Sequence, residues 1–330
     1  MKRPHSLVTG GSGFIGSHLC EKLISLNHKV TVIDNFEVGK RSNLLNISNK
    51  VKIYKRDIRS YKKIEKLFKN VDYVFHLAAL ADIVPSIENP TSYYETNVTG
   101  TLNVLKASIK FKVKKLIYTA SSSSYGIPKK YPTPESSEIK PEYPYALTKR
   151  LGEEIVMNFG KIYNLNVTSL RFFNVYGPRA RTSGTYGAVF GVFLAQKLNN
   201  KPLTVVGDGK QKRDFTYVSD IINAFITVLK NKKTKNEIFN VGSGKTVSVN
   251  KIVDLMKVSK IVKIPKRPGE PFQTFADISK IKKITGWRPK INIESGISIM
   301  LNNILDWKKA PLWTPKKIKI ATKSWFKYLK

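Results

Sequence analysis

One cysteine, Cys20, stands in 330 residues, so no intrachain disulfide framework exists and no cysteine cluster can hold a metal. Histidine is almost as scarce. The four, at 5, 18, 28 and 76, are scattered and show no metal-ligand spacing, so no metal is expected. Acidic residues are few, 23 against 58 lysines and arginines, which leaves a formal net charge of +35. Arginine supplies only 11 of those cations, and the lysines run along the whole chain. Proteins that read nucleic acid gather arginine and aromatics on one face. A diffuse lysine excess reads instead as solvated surface, and no nucleic-acid partner is expected. No apolar run approaches the ~18 residues of a membrane span, and residues 1–5 lead straight into a strand pattern without a signal peptide. The expectation is a cytoplasmic protein with no membrane insertion. Internal repeats and low-complexity tracts are also missing.

What is present begins at residue 7. An apolar strand runs into glycines at 10, 13 and 16, and an amphipathic helical pattern follows over 14–26. Glycines remove the Cβ atoms that would block a close backbone approach, and a helix N-terminus offers free N–H groups to a phosphate. A second strand, 29–33, ends in Asp34 about twenty residues on, where a carboxylate can accept hydrogen bonds from a ribose diol. The combination predicts a dinucleotide site.

Strand-like runs recur at 5–10, 29–34, 51–55, 72–79, 114–120 and 166–173, with helical patterns near 14–26, 60–69, 91–111 and 145–163. This alternation predicts an α/β fold, a doubly wound parallel sheet of Rossmann type. After Arg171, glycines and prolines break the chain into shorter pieces. The expected division is a nucleotide-binding domain over 1–174, to which 214–241 returns, and a smaller mixed α/β substrate region over 175–330.

Tyr145 and Lys149 lie four residues apart after Pro144, on one helical face. A phenol titrates near ~10, but an ammonium one turn away and a cationic nicotinamide would favour the phenolate. Ser121 to Ser124 follow a strand and stand at the carboxyl edge of the sheet, where open α/β folds bind ligands. No Gly-x-Ser-x-Gly surrounds them, so a hydrogen-bonding role is favoured over a hydrolase nucleophile. The run 242–246, Gly-Ser-Gly-Lys-Thr, looks like the end of a phosphate loop, but position 239 is Phe where that motif needs glycine. His76, in an apolar strand, reads as structural.

With these residues in place, the chain resembles the extended short-chain dehydrogenase/reductase family, and within it the NAD-dependent nucleotide-sugar epimerases and dehydratases. The likeness runs nearly end to end. It implies a cofactor loop at Gly10, Gly13, Phe14, Ile15 and Gly16, a ribose contact at Asp34 and Asn35, and an adenine contact at Asp57 and Ile58. Leu77, Ala78, Ala79 and Asn97 fall in segments that line the cofactor and stabilise the sheet. Ser121, Tyr145 and Lys149 match the catalytic positions, with Ser122 beside them at the sugar. Asn174, Arg213 and Arg267 match the substrate-diphosphate ligands, and guanidinium forks suit that group. Thr274 stands where glucose-restricted members carry a tyrosine, which predicts room for a 2-acetamido group. The resemblance also implies a homodimer built on helices 91–111 and 145–163, with Leu102, Leu105, Ile109, Leu151 and Ile155 on their outer faces.

Sugar dehydratases of the family carry an Asp-Glu pair next to the catalytic hydroxyl, where this chain has Ser122-Ser123. The implied activity is therefore C4 epimerisation of a UDP-sugar with NAD as cofactor. The alternatives are a 4,6-dehydratase and an epimerase restricted to uronic acids.

Overall fold

The computed structural model describes residues 3–180 and 189–329. Seven parallel strands form the central sheet: β1 (His5–Thr9), β2 (Lys29–Asp34), β3 (Val51–Lys55), β4 (Tyr73–His76), β5 (Lys115–Ser121), β6 (Val167–Phe172) and β7 (Glu237–Val241). Their spatial order is β7-β6-β5-β4-β1-β2-β3. The chain winds outward from β1 to β3, then restarts on the other side with β4. A crevice therefore opens at the carboxyl ends of β1 and β4, the place where such sheets take ligands.

Alternation along each strand builds two cores. Leu7, Val74 and Leu116 point to one face and pack with Val104, Leu105 and Val156. Val8, Phe75 and Ile117 point to the other and pack with Leu19, Leu23, Ile221 and Phe225. Helices Phe14–Ser25 and Val218–Lys230 thus cover one face, and Gly100–Lys110 and Pro144–Ile162 the other. Both faces are buried, which is why the strands read as near-continuous apolar runs.

Several boundaries differ from the sequence reading for identifiable reasons. Strand β1 stops at Thr9 because Gly10 takes φ +70°. Strand β4 stops at His76, and residues 77–81 leave the sheet to line the crevice. The helix expected over 60–69 is one α-turn, Tyr61–Ile64, continued as a tighter 3₁₀ segment, Glu65–Phe68. The helix expected over 91–111 contains a wider π-type turn at Glu95–Thr99, a local irregularity that tends to mark functional regions. Of the expected outer-face residues, Leu105 is core with no exposure, whereas Leu102, Ile109, Leu151 and Ile155 are half-buried.

Beyond β6 the structure breaks into three two-stranded pairings. Asn174–Tyr176 runs beside Phe215–Tyr217, Lys212–Arg213 beside Val247–Ser248, and Leu203–Val206 beside Ile261–Ile264. Two short helices, Pro315–Ala321 and Lys323–Tyr328, follow near the end. Among the described residues no helix is long and apolar enough to cross a membrane, and no His/Cys/Asp/Glu group could hold a metal.

Candidate active site

A cavity of about 720 Å³ runs along the crevice from Gly10 and Asp34, past Ala78 and Tyr145, to Arg213 and Arg267. At its start the backbone is packed too tightly for side chains. A Cβ on Gly10 would lie 2.7 Å from the Ala78 nitrogen, and one on Gly16 would collide with the Gly10 carbonyl. Gly13, Phe14, Ile15 and Gly16 line the cavity. Gly13 provides no side-chain cap and the first helical turn holds no acid. An uncapped helix start beside glycine backbone fits a pyrophosphate.

Asp34 ends β2 with both carboxylate oxygens anchored: Oδ2 accepts from Ser12 N (2.9 Å) and Oδ1 from Phe36 N (2.8 Å). Burial raises its pKa against those hydrogen bonds. Asn35 donates to Asp57 Oδ2 (3.1 Å), and Asp57 also takes a 2.6 Å ion pair from Arg59. These bonds clamp the end of β2 to the end of β3, with Ile58 on the cavity wall.

Leu77, Ala78 and Ala79 line the cavity too. The Leu77 and Ala78 amides donate to Thr9 Oγ1 (3.2 Å each), and His76 bridges Thr9 and Thr101 at 2.7 and 2.9 Å. Burial pushes that imidazole down to about 3, so it is a neutral structural pin. Asn97 is buried directly behind the cavity-lining segment 77–81. Its amide is spent on both backbone groups of Leu80 (2.9 and 3.0 Å) and on Thr148 (3.0 Å). It fixes the 77–81 segment to the Tyr145 helix and is a positioning residue.

Ser121, at the last position of β5, meets Tyr145 from the helix Pro144–Ile162, and Lys149 of the same helix lines the same cavity. Ser121 Oγ lies 2.8 Å from Ser123 Oγ, and both hydroxyls hydrogen-bond the Tyr145 phenol. Lys149 is 4% exposed with its ammonium 4.5 Å above the Tyr118 ring. Burial lowers its pKa to about 7, with Glu153 acting in the opposite direction. The sequence expectation of an acidified Tyr145 is not met by the lysine. Burial raises the phenol and the charge of Asp82 adds to that, while Ser121 and Ser123 pull it down.

The helix carrying Tyr145 is held by a buried ion pair. Glu153 meets Arg171 at 2.6 Å, Arg171 also donates to the Tyr125 hydroxyl (2.7 Å), and so helix, β6 and the serine loop are fixed together.

At the far end Arg213 reaches Glu270 at 2.7 Å and Arg267 lies 3.9 Å from the same carboxylate. Arg267 stacks over Trp325 at 5.3 Å, and the Trp325 indole donates to Pro268 O (2.7 Å). Asn174 accepts from the Thr274 hydroxyl (2.8 Å), which itself accepts from Asp214 N (3.1 Å). Thr274, Asn174 and Ser122 line the cavity, and Phe272, two residues before Thr274, is exposed.

Residues 6–242 match the family described as NAD dependent epimerase/dehydratase. The chain belongs to that family. It is 37% identical over 302 residues to a putative UDP-glucose 4-epimerase of Methanocaldococcus jannaschii, covering 90% of this chain and 97% of that one. The crystal structure of a UDP-glucose 4-epimerase with UDP-glucose from Thermotoga maritima superposes with a TM-score of 0.86. Identity to it is 34%, and the match covers 92% of this chain and 99% of that one. A UDP-glucuronic acid 4-epimerase from Bacillus cereus, in complex with UDP-glucuronic acid and NAD, gives a TM-score of 0.85 at 32% identity. That match covers 91% of this chain and 99% of that one. NAD is the cofactor of this family member, and the glycine cradle and the Asp34 anchor fit it.

Asp82, Tyr143, Glu270, Trp313 and Trp325 are among the cavity residues that sequence reasoning did not single out. Glu270 stands inside a segment singled out for its arginine and could have been found there. Nothing in the lysine-rich end of the chain marks its tryptophans as site residues.

Proposed function

We propose that this enzyme interconverts the C4 epimers of a UDP-sugar through a transient 4-keto sugar. The observation that carries the reading is that Ser121 hydrogen-bonds Tyr145 in the cavity that Lys149 also lines, with Ser122 and Ser123 where elimination chemistry would need an acid and a base. Serine hydroxyls stay protonated at neutral pH and cannot expel water across a C5–C6 bond.

Tyr145 takes the proton of the sugar C4 hydroxyl, and Ser121 hydrogen-bonds the same oxygen. NAD, held by the glycine cradle and Asp34, would supply the hydride acceptor and donor for C4 and a positive charge that favours the phenolate. Lys149 would hold the ribose next to the nicotinamide. Arg213 and Arg267 bind the diphosphate, displacing one of their contacts with Glu270, and Asn174 adds a polar contact steadied by Thr274. The sugar turns over between the two hydride steps, so net redox is zero. The names of the similar proteins support UDP as the nucleotide.

The test is incubation of the purified protein with a panel of UDP-sugars and separation of the products. A pair of C4 epimers is expected from at least one sugar, and Tyr145→Phe lowers that turnover by about 10² to 10⁴. A 4-keto-6-deoxy product, or full turnover in the variant, contradicts the reading.

A further inference from the structure

The last described helix, Lys323–Tyr328, ties two distant parts of the chain together at the cavity. It packs against the helix Ile83–Glu88, whose residues Ile83, Val84 and Pro85 line the cavity. Ser324 Oγ donates to Glu88 Oε1 (2.7 Å) and fastens the two helices. The same helix also meets the loop that carries Arg267. The Trp325 indole donates to Pro268 O (2.7 Å), and a Cβ on Gly269 would lie 3.9 Å from Leu329. Trp325 is 5% exposed and is itself a cavity wall.

Arg213 and Arg267 share Glu270 unequally. Arg213 holds the carboxylate at 2.7 Å, a hydrogen-bonded ion pair, whereas Arg267 stands 3.9 Å away, too far for one. The Arg267 guanidinium lies over the Trp325 ring at 5.3 Å. A carboxylate holds a guanidinium by occupying N–H donors that a phosphate would need. An aromatic ring attracts the cation and takes none of its donors. The indole bonds the carbonyl of the residue after Arg267, so ring and guanidinium are set against one stretch of backbone.

We propose that Trp325 is a positioning residue for the substrate diphosphate. It holds the Arg267 side chain in place before the nucleotide arrives, so that binding need not freeze a long, rotamer-rich side chain. The end of the chain is thereby part of the substrate site, and it acts on nucleotide affinity rather than on the hydride step. The inference rests on the proposed UDP-sugar reading and on Arg267 as a diphosphate ligand.

The experiment measures UDP affinity by calorimetry, with kcat and KM for UDP-glucose, in the parent protein, Trp325→Leu, Trp325→Phe, Arg267→Met and the double variant Arg267→Met/Trp325→Leu. Trp325→Leu is expected to weaken UDP about 5- to 30-fold, the range of a partly desolvated cation–ring contact. KM rises by a similar factor and kcat stays within about two-fold, the pattern of lost uniform binding. Trp325→Phe keeps a ring and loses less, and retained NAD affinity reports that each variant is folded. On the Arg267→Met background, Trp325→Leu should change UDP affinity by less than about two-fold, because the two residues act as one. A loss of the same factor in both backgrounds, or unchanged affinity in Trp325→Leu, overturns the proposal. A parent protein that binds no UDP overturns the UDP-sugar reading and this inference with it.

Discussion

Lys149→Met is expected to abolish turnover while making the nucleotide-free protein more stable. Lys149 is 4% exposed, and burial moves its pKa from 10.5 to about 7. At about 1.4 kcal/mol per unit, the buried ammonium costs on the order of 5 kcal/mol wherever it is fully protonated. The attraction of Glu153 is already contained in that shift, so methionine gives up only the stack on Tyr118, worth about 1–2 kcal/mol. A net gain of about 3–4 kcal/mol remains, or roughly 5 °C in Tm for a chain of this size. The sign follows from linkage. Below pH 7 the folded and unfolded states both carry the proton, and the full cost is present. Between pH 7 and 10.5 only the unfolded state is protonated, so the parent gains stability as pH rises and the cost fades. Thermal unfolding of both proteins at pH 6.5 and pH 9.5 reads this directly. A variant less stable than the parent at pH 6.5, or a gap that fails to narrow at pH 9.5, refutes the reasoning.

Gly16→Ala places a Cβ against the Gly10 carbonyl and 2.8 Å from Gly11 Cα, both backbone, so the loop must shift. NAD affinity by fluorescence titration is expected to fall at least about ten-fold, the outcome for a lost close-approach position, and unchanged affinity contradicts the cradle. Thr274→Tyr fills the space beside Asn174 and removes the hydroxyl that steadies it. Turnover of UDP-N-acetylglucosamine should be lost and the KM for UDP-glucose raised a few-fold, since steric exclusion outweighs one lost contact of ~1–3 kcal/mol. Equal losses on both sugars would show that the residue does not gauge the C2 substituent.

The sheet was legible because its strands are buried on both faces and read as apolar runs. Strands β2 and β3 coincide with the expected runs, and β1, β4, β5 and β6 lie within three residues of theirs. Tyr145 and Lys149 were legible because an i, i+4 spacing needs only one helix. Residues that act through distant partners were not. Asn97 reaches Leu80 and Thr148, and Trp325 reaches Arg267 only once the chain has folded back. The loop at 242–246 teaches the same point from the other side. It does bind an anion, through Ser243 N (2.6 Å) and Gly244 N (3.1 Å), but the anion is the chain's own Asp214. Burial raises that carboxyl to about 6, and it ties the loop to Ala276 and the Thr274 segment. Asp82 carried no signal because an aspartate before a short helix reads as an ordinary cap.

The most direct test uses a UDP-hexose deuterated at C4, equilibrated with the enzyme in ordinary water. Hydride removal and return at one carbon predicts that both epimers keep the deuterium at C4 and that no free NADH accumulates. Loss of the label to solvent, or its appearance at another carbon, contradicts epimerisation through a 4-keto sugar.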